Sequence, residues 1–289
     1  MAPVIAVTGA SGRIGRRVAR RLVDAGAAPR LLGRRPDRLP ELPGAVVGPA
    51  AAYGDGEAMR RALDGVDALF LVSAHEAPDR VPQHRTAVDA ALDAGVGRIV
   101  YTSFLGAAPD AVFTFARDHF HTEEHIRASG VRFTFLRDDL YLGVVPALCG
   151  ADGVIRGPAG DGRLAAVAHD DVADAAAAVL LGEGHDGRTY DLTGPQAFTL
   201  EEAAAELGRA AGRPVRYVPE TREEAYASRA GHGAEEWEVA GWVSSYEAIA
   251  AGDLAEVSDA VPRLTGRPAR TLRQFLQEYP ASWRHLSGA

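Results

Sequence analysis

The chain has 289 residues, 47% of them hydrophobic and 24% charged, and a formal net charge of −8. That composition excludes disordered, collagen-like and disulfide-rich classes, and it suits one large α/β domain or one with a smaller annex. The acidic balance argues against tight, sequence-independent binding to nucleic acid.

An apolar run at residues 4–8 predicts a strand, followed by glycines and a helix over 13–25 that Gly26 ends as its C′ residue. Residues 30–33 predict a second strand and 46–47 a weak third. A helix over 57–63 stops at Gly65, and residues 68–73 predict a buried strand. The helix over 81–94 has apolar positions Val81, Ala87, Val88, Ala91 and Leu92 and ends at Gly95. Residues 98–103, rich in β-branched and aromatic side chains, predict the next strand. A helix over 118–129 and a strand over 131–136 follow. Strands alternating with helices predict a parallel sheet covered on both faces.

After Leu142 the rhythm loosens. Residues 150–162 hold five glycines and one proline and read as loop or short strand. A helix is expected over 170–181, with Asp170 or Asp171 as its N-cap, and a strand over 189–192. Thr199 and Glu202 form a capping-box pattern that opens a helix through Ala211. A short strand at 215–218 precedes a mostly helical remainder, and the tail after Pro280 is expected to fray. The only cysteine, Cys149, leaves no intrachain disulfide or cysteine-based zinc site. His121 and His125 are four apart, but no third metal ligand is evident, and solvated helix histidines are expected. The arginines Arg16, Arg17, Arg20 and Arg21 read as a solvated helix face. The N-terminus shows no charged leader region, and no apolar stretch reaches the roughly 18 residues of a membrane span, so a cytoplasmic protein is expected.

Residues 4–15 read Val-Ile-Ala-Val-Thr-Gly-Ala-Ser-Gly-Arg-Ile-Gly. Gly9, Gly12 and Gly15 thus follow a predicted strand and open a predicted helix, which is the context a dinucleotide-binding loop requires. The first glycine permits a tight turn, the second a close approach to a pyrophosphate, and the third close packing of helix on strand. Free amides at the helix N-terminus then hold the anion. After the second strand an NAD site usually presents a carboxylate. This chain presents Gly33-Arg34-Arg35, with Arg13 in the glycine loop, so NADP(H) is expected over NAD(H).

The glycine triplet, the segment Ala62-Leu63-Asp64-Gly65-Val66-Asp67-Ala68-Leu69-Phe70-Leu71-Val72-Ser73, and Ala94-Gly95-Val96 before Ile99-Val100-Tyr101-Thr102-Ser103 resemble the atypical short-chain dehydrogenases. His119-x-x-Thr122-Glu123, Ser129-Gly130, Thr134-Phe135-Leu136-Arg137, residues 159–163 and residues 187–194 narrow the resemblance to the NmrA-like family. Within it, the bacterial NAD(P)H:quinone oxidoreductase type 2 and triphenylmethane reductase branch is the most similar. The resemblance implies a Rossmann-type, doubly wound parallel sheet over residues 1–142. A smaller C-terminal α+β substrate region would span 143–289, with some segments returning to the first domain. It also implies NADPH in the cleft between the two. Gly9, Ser11, Gly12, Arg13, Ile14 and Gly15 would form the loop, and Arg34 would meet the 2′-phosphate. Ser73 and Ala74 would line the ribose side, and Thr102 and Ser103 would sit near the nicotinamide. The chain departs from the family at Ala52, where relatives place an acidic residue near the adenine, and at Asp138, where they often have Asn.

All 31 basic residues are arginine. Without lysine there is no Schiff-base lysine, no Walker-A lysine and no Tyr-x-x-x-Lys relay, and the arginine pKa is too high to substitute. Phe115-Ala116-Arg117-Asp118-His119 falls where many short-chain dehydrogenases carry Tyr-x-x-x-Lys. Carbonyl reduction aided by an aligned tyrosine is therefore disfavoured. Hydride transfer to a quinone-like or conjugated aromatic acceptor needs mainly positioning. His119 is the candidate catalytic group, read as a cofactor-orienting or electrostatic residue able to change charge near neutrality. Its competing reading is a helix residue bonded to backbone. His75, Phe104, Leu105 and Tyr141 follow strand ends and are the candidate contacts to a small aromatic or quinone-like substrate, with core packing as the competing reading. The expected activity is that of an NADPH-dependent reductase, in a monomer or homodimer without nucleic-acid, membrane or metal partners. The alternatives are an NADP-binding sensor without chemistry and a biosynthetic tailoring reductase or isomerase.

Overall fold

The computed structural model describes residues 3–286. In chain order its elements begin β1 (Ile5–Val7), α1 (Arg13–Asp24), β2 (Arg30–Leu31), β3 (Val46–Val47), α2 (Gly56–Ala62) and β4 (Ala68–Leu71). They continue α3 (Arg80–Asp93), β5 (Arg98–Phe104), α4 (Thr114–Ala128), β6 (Arg132–Asp138), β7 (Val154–Gly157) and β8 (Arg163–Leu164). Next come α5 (His169–Leu181), β9 (Arg188–Leu192), β10 (Phe198–Thr199), α6 (Leu200–Ala211) and β11 (Arg216–Pro219). The last helices are α7 (Arg222–Arg229), α8 (Glu236–Ala251), α9 (Ala260–Thr265) and α10 (Leu272–Glu278). The chain divides into two units. One contains the chain up to Pro109 with Asp118–Arg137 and His169–Tyr190; the other contains Asp110–Arg117, Asp138–Ala168 and the chain from Asp191 onward.

The first unit carries the Rossmann-like sheet, seven strands in the order β3-β2-β1-β4-β5-β6-β9. β1 pairs in parallel with both β2 and β4, and β4 with β5. The chain winds outward from β1 on one side and returns to β4 on the other. The crevice between β1 and β4 is therefore the switch point at which open α/β sheets bind ligands, beyond the carboxyl ends of the strands. β4 and β5 are buried at every position, as expected for strands covered on both faces. α1 turns Ile14, Val18, Ala19 and Leu22 inward at helical spacing.

α1 also packs against α5, which changes two sequence readings. Arg17 Nε lies 3.1 Å from Asp170, Arg21 lies 2.8 Å from Asp170, and Arg21 also pairs with Asp174. Half of the expected solvated arginine face is thus an inter-helix clamp. Asp170 lies in the first turn of α5, which begins at His169, and its carboxylate serves the arginines.

The second unit holds two small sheets, β7 paired in parallel with β11 and β8 antiparallel with β10. Its glycine-rich run is packed structure. A Cβ on Gly157 would meet the Tyr246 ring, 2.8 Å from Cζ, and one on Gly162 would come within 2.6 Å of the Ile249 carbonyl carbon. Glycine serves there for close approach of α8. α4 begins four residues before the expected start, because the Ser244 hydroxyl accepts the Thr114 N–H at 3.2 Å. The tail is ordered through Leu286 as a 3₁₀ helix (Pro280–Leu286) instead of fraying. Trp283 Nε1 donates to the Leu276 carbonyl at 2.9 Å, and His285 contacts the Cys149 carbonyl at 3.0 Å. The rest of the expected frayed tail lies outside the described residues.

Candidate active site

The turn after β1 is built for an anion. Gly9 adopts φ +57°, and the Gly12 N–H closes the turn on the Gly9 carbonyl at 2.8 Å. A Cβ on Gly15 would lie 2.8 Å from the Thr8 carbonyl oxygen and 2.7 Å from the Gly9 carbonyl carbon, so only glycine fits. Gly12 is the N-cap of α1, which has no side-chain cap and no acidic residue in its first turn. α6, α7 and α10, by contrast, each carry a complete capping box. The amides of Arg13, Ile14 and Gly15 thus meet no capping side chain, at the positive end of the helix dipole.

Beside this turn lies a cavity of about 710 Å³ lined by Ser11, Arg16, Arg34, Arg35 and Arg38. No acidic partner pairs with Arg34, Arg35 or Arg38 among the described residues, in a chain where most other arginines are bridged. Converging unpaired guanidiniums fit a dianionic phosphate. Arg34, expected from the sequence at a 2′-phosphate, lines this cavity. Arg13 is exposed and does not line the cavity. Arg16 and Arg38 were missed. Arg38 reaches the cavity through the short 3₁₀ turn Pro36–Arg38, and Arg16 sits one helical turn into α1.

The tips of β1, β4 and β5 are tied together by hydroxyls. Thr8 Oγ1 donates to the Phe70 carbonyl at 3.1 Å and accepts the Val72 N–H at 2.9 Å. Tyr53 contacts Thr8 Oγ1 at 2.6 Å and the Val72 carbonyl at 2.5 Å through its hydroxyl. Thr102 Oγ1 accepts the Ser73 N–H at 2.8 Å. Ser103, fully buried, donates to Glu123 at 2.5 Å. Glu123 is itself buried, gripped by both arms of Arg137 (2.8 and 2.7 Å) and by Arg127 at 3.0 Å. Thr102 and Ser103 are therefore occupied in holding strand ends.

His119 is buried, and its surroundings settle its protonation. Arg80, also buried, can only donate, so the 3.1 Å contact makes His119 Nε2 an acceptor. The ring proton is then on Nδ1, 3.0 Å from the Tyr101 hydroxyl. Burial first, and the Arg80 charge second, hold this imidazole well below the usual histidine range. The change of charge near neutrality expected of His119 is not available to it. Of the other candidates, Phe104 and Leu105 are buried, with the Phe104 ring 6.1 Å from that of His119. His75 is 89% exposed, beside Glu76 at 3.3 Å. Ser73 and Ala74 are half-buried.

In the second unit, Tyr141 donates to Asp138. Phe115, at the expected tyrosine position, stacks edgewise with Phe113 (5.5 Å) and Trp237 (6.0 Å). Its ring is pressed on α8, where a Cβ on Gly241 would fall 2.8 Å from Phe115 Cε1. Among the described residues, no group of three His, Cys, Asp or Glu side chains could hold a metal ion, and His125 pairs with Asp89 at 2.7 Å. No helix among them is long and apolar enough to cross a membrane.

Comparison with known proteins agrees with this geometry. Residues 9–183 match a family described as NAD(P)H-binding. The chain is 40% identical to (4-alkanoyl-5-oxo-2,5-dihydrofuran-3-yl)methyl phosphate reductase of Streptomyces griseus, over 96% of this chain and 98% of that one. It is 34% identical to the NAD(P)H azoreductase of Xenophilus azovorans, over 97% and 99% of the two chains. The structure of the NADPH-dependent quinone oxidoreductase QOR2 from Escherichia coli, complexed with NADPH, superposes with a TM-score of 0.87 at 34% identity, covering 95% of this chain and 99% of that one.

Proposed function

The chain belongs to the NAD(P)H-binding family and its relatives are oxidoreductases, and from that premise we propose that it is an NADPH-dependent reductase of quinone-like and other electron-poor conjugated acceptors. The observation that carries the reading is the arginine-lined cavity beside the uncapped start of α1. Held along these groups, NADPH would supply a hydride to a conjugated acceptor, whose proton would come from water. Gly9, Ser11, Gly12, Arg13, Ile14 and Gly15 cradle the pyrophosphate. Arg34, joined by Arg16, Arg35 and Arg38, receives the 2′-phosphate, and Ser73 and Ala74 form the ribose wall. Thr102 and Ser103 position the ends of β4 and β5, and His119, neutral, orients the site without exchanging a proton. Phe104 and Leu105 are the acceptor contacts offered by the first unit and suit small aromatic molecules, and exposed His75 would meet a polar edge.

No tyrosine or lysine relay is needed for such acceptors, because the added electron pair is delocalised before protonation. The named relatives are reductases, which favours turnover over a sensing role. The 40% identity to a furanone phosphate reductase supports a second substrate class, an α,β-unsaturated lactone. The test is to follow nicotinamide absorbance with a quinone, an azo dye, an unsaturated lactone and a simple aryl ketone. Consumption with any of the first three and none with the ketone is expected; tight NADPH binding without turnover on all four would overturn the reading. Removing one cavity guanidinium, as in Arg34→Ala or Arg38→Ala, is expected to weaken NADPH about tenfold and leave NADH unchanged. Equal loss for both coenzymes would refute the 2′-phosphate assignment.

A further inference from the structure

α3 turns a helical face inward whose lower positions are Ala87, Val88 and Ala91 and whose upper positions are Arg80 and His84. Both polar residues are almost wholly buried, at 3% and 0% exposure. They sit one helical turn apart and converge on a single residue of the loop after β4. His84 Nε2 accepts the Ala74 N–H at 2.8 Å, and Arg80 Nε donates to the Ala74 carbonyl at 3.0 Å. Each gripping side chain is itself held. His84 must carry its proton on Nδ1, which donates to Thr122 Oγ1 at 2.9 Å, and that hydroxyl donates to the Asp118 carbonyl at 2.8 Å. Arg80 donates onward to His119 Nε2 at 3.1 Å.

This arrangement is expensive for the fold. Arg80 NH1 is buried without a hydrogen bond, and its nearest carboxylate, Asp118, is 3.6 Å away. A buried guanidinium so weakly compensated is poorly explained by stability, since apolar replacements of buried ion pairs are often neutral or stabilising. The backbone before Ala74 is already held at Val72 and Ser73 by Thr8, Tyr53 and Thr102, and the next residue, His75, is exposed. We infer that Arg80 and His84 are positioning residues that lock both backbone groups of Ala74, pre-forming the ribose wall, with His119 as the brace that orients Arg80. They act through Ala74 without touching the cofactor. The inference rests on the reading of Ser73 and Ala74 as part of the cofactor site.

Two measurements separate the clamp from that reading. Amide exchange at Ala74 in cofactor-free protein reports the clamp alone, and the NADPH dissociation constant reports its use. The variants are Arg80→Met, which keeps bulk and helix propensity, His84→Ala, and His84→Gln, which keeps an acceptor near the Nε2 position. Arg85→Ala, on the exposed face of the same helix, is the control. In Arg80→Met and His84→Ala, Ala74 exchange is expected to accelerate at least about tenfold and NADPH to bind about tenfold more weakly. Turnover at saturating NADPH should stay within about twofold, the Arg80→Met melting temperature should not fall, and His84→Gln should recover part of the affinity. Unchanged exchange at Ala74 overturns the inference. So does faster exchange with an unchanged dissociation constant, or a loss of affinity that merely follows a fall in melting temperature. If the wild-type protein bound no NADPH, the proposed function would fail, while the exchange experiment would still decide whether the clamp exists.

Discussion

Single positions carry much of the site's chemistry. Gly15 is the sharpest case, because any side chain there collides with the backbone of Thr8 and Gly9. Gly15→Ala is expected to cost about 1–3 kcal/mol and to abolish tight NADPH binding, which denaturant unfolding and a binding titration would check. The buried histidines set an acid limit. His84 is pushed down to about 3 by burial and then by Arg80, and His169 to about 4 by burial and then by Arg17 and Arg13. His119 is also lowered, in the same order of causes as His84. The unfolded chain binds more protons than the folded one between these values and the ordinary histidine pKa of about 6.5. Their contribution is therefore complete above pH 6.5 and is lost as pH falls through that window. Asp139 runs the other way. Burial lifts it to about 7, so its contribution is present below the usual carboxylate range and lost as pH rises toward 7. With the buried histidines outweighing Asp139, the protein should be less stable at pH 5 than at pH 7. A urea midpoint that did not fall between those pH values would show that the histidines are not held neutral.

Elements act through the faces they press together. Phe115 opens α4 where a relay tyrosine was sought, and its ring lies against α8 at Gly241. A hydroxyl on that ring has no room, so Phe115→Tyr is expected to destabilise by about 1–3 kcal/mol without creating ketone reduction, and Gly241→Ala to do the same by the reciprocal clash. Stable, ketone-reducing Phe115→Tyr protein would show that the packing is loose. The α1–α5 clamp has a comparable role in the first unit. Arg17 and Arg21 straddle Asp170, and Arg21 also holds Asp174, with both carboxylates largely shielded from water. A double-mutant cycle on Arg21 and Asp170 should give a coupling of about 0.5–2 kcal/mol, and near-zero coupling would return these arginines to the solvated face first read from the sequence.

For the whole molecule, cofactor and fold are linked. A ligand that binds only the folded chain stabilises it by about 2.7 kcal/mol at a hundred times its dissociation constant. NADPH should therefore raise the melting temperature well above the shift from NADH at equal concentration. Equal shifts would remove the arginine cavity from coenzyme selection. The net charge of −8 makes this local cavity notable, since its unpaired guanidiniums stand against the overall sign of the protein.

Much of this molecule is written in local chemistry. Gly9, Gly12 and Gly15 between a strand and a helix, apolar runs alternating with helical periods, and a chain wholly without lysine are properties of neighbouring residues or of composition. They were enough to anticipate the Rossmann-like sheet and the tight glycine turn between β1 and α1. The place of Arg34 in the cavity was legible for the same reason, as it lies a few residues beyond β2. The convergence of Arg16 and Arg38 on it was not, nor was the grip of Arg80 and His84 on Ala74, nor the pairing of Ser103 with Glu123. The only trace of the clamp was two polar residues four apart on a helix face otherwise turned inward. A side chain's partner is chosen by packing between segments distant along the chain, and burial then dictates its charge. Periodicity shows which face of a helix is buried; only the folded chain decides what that face touches.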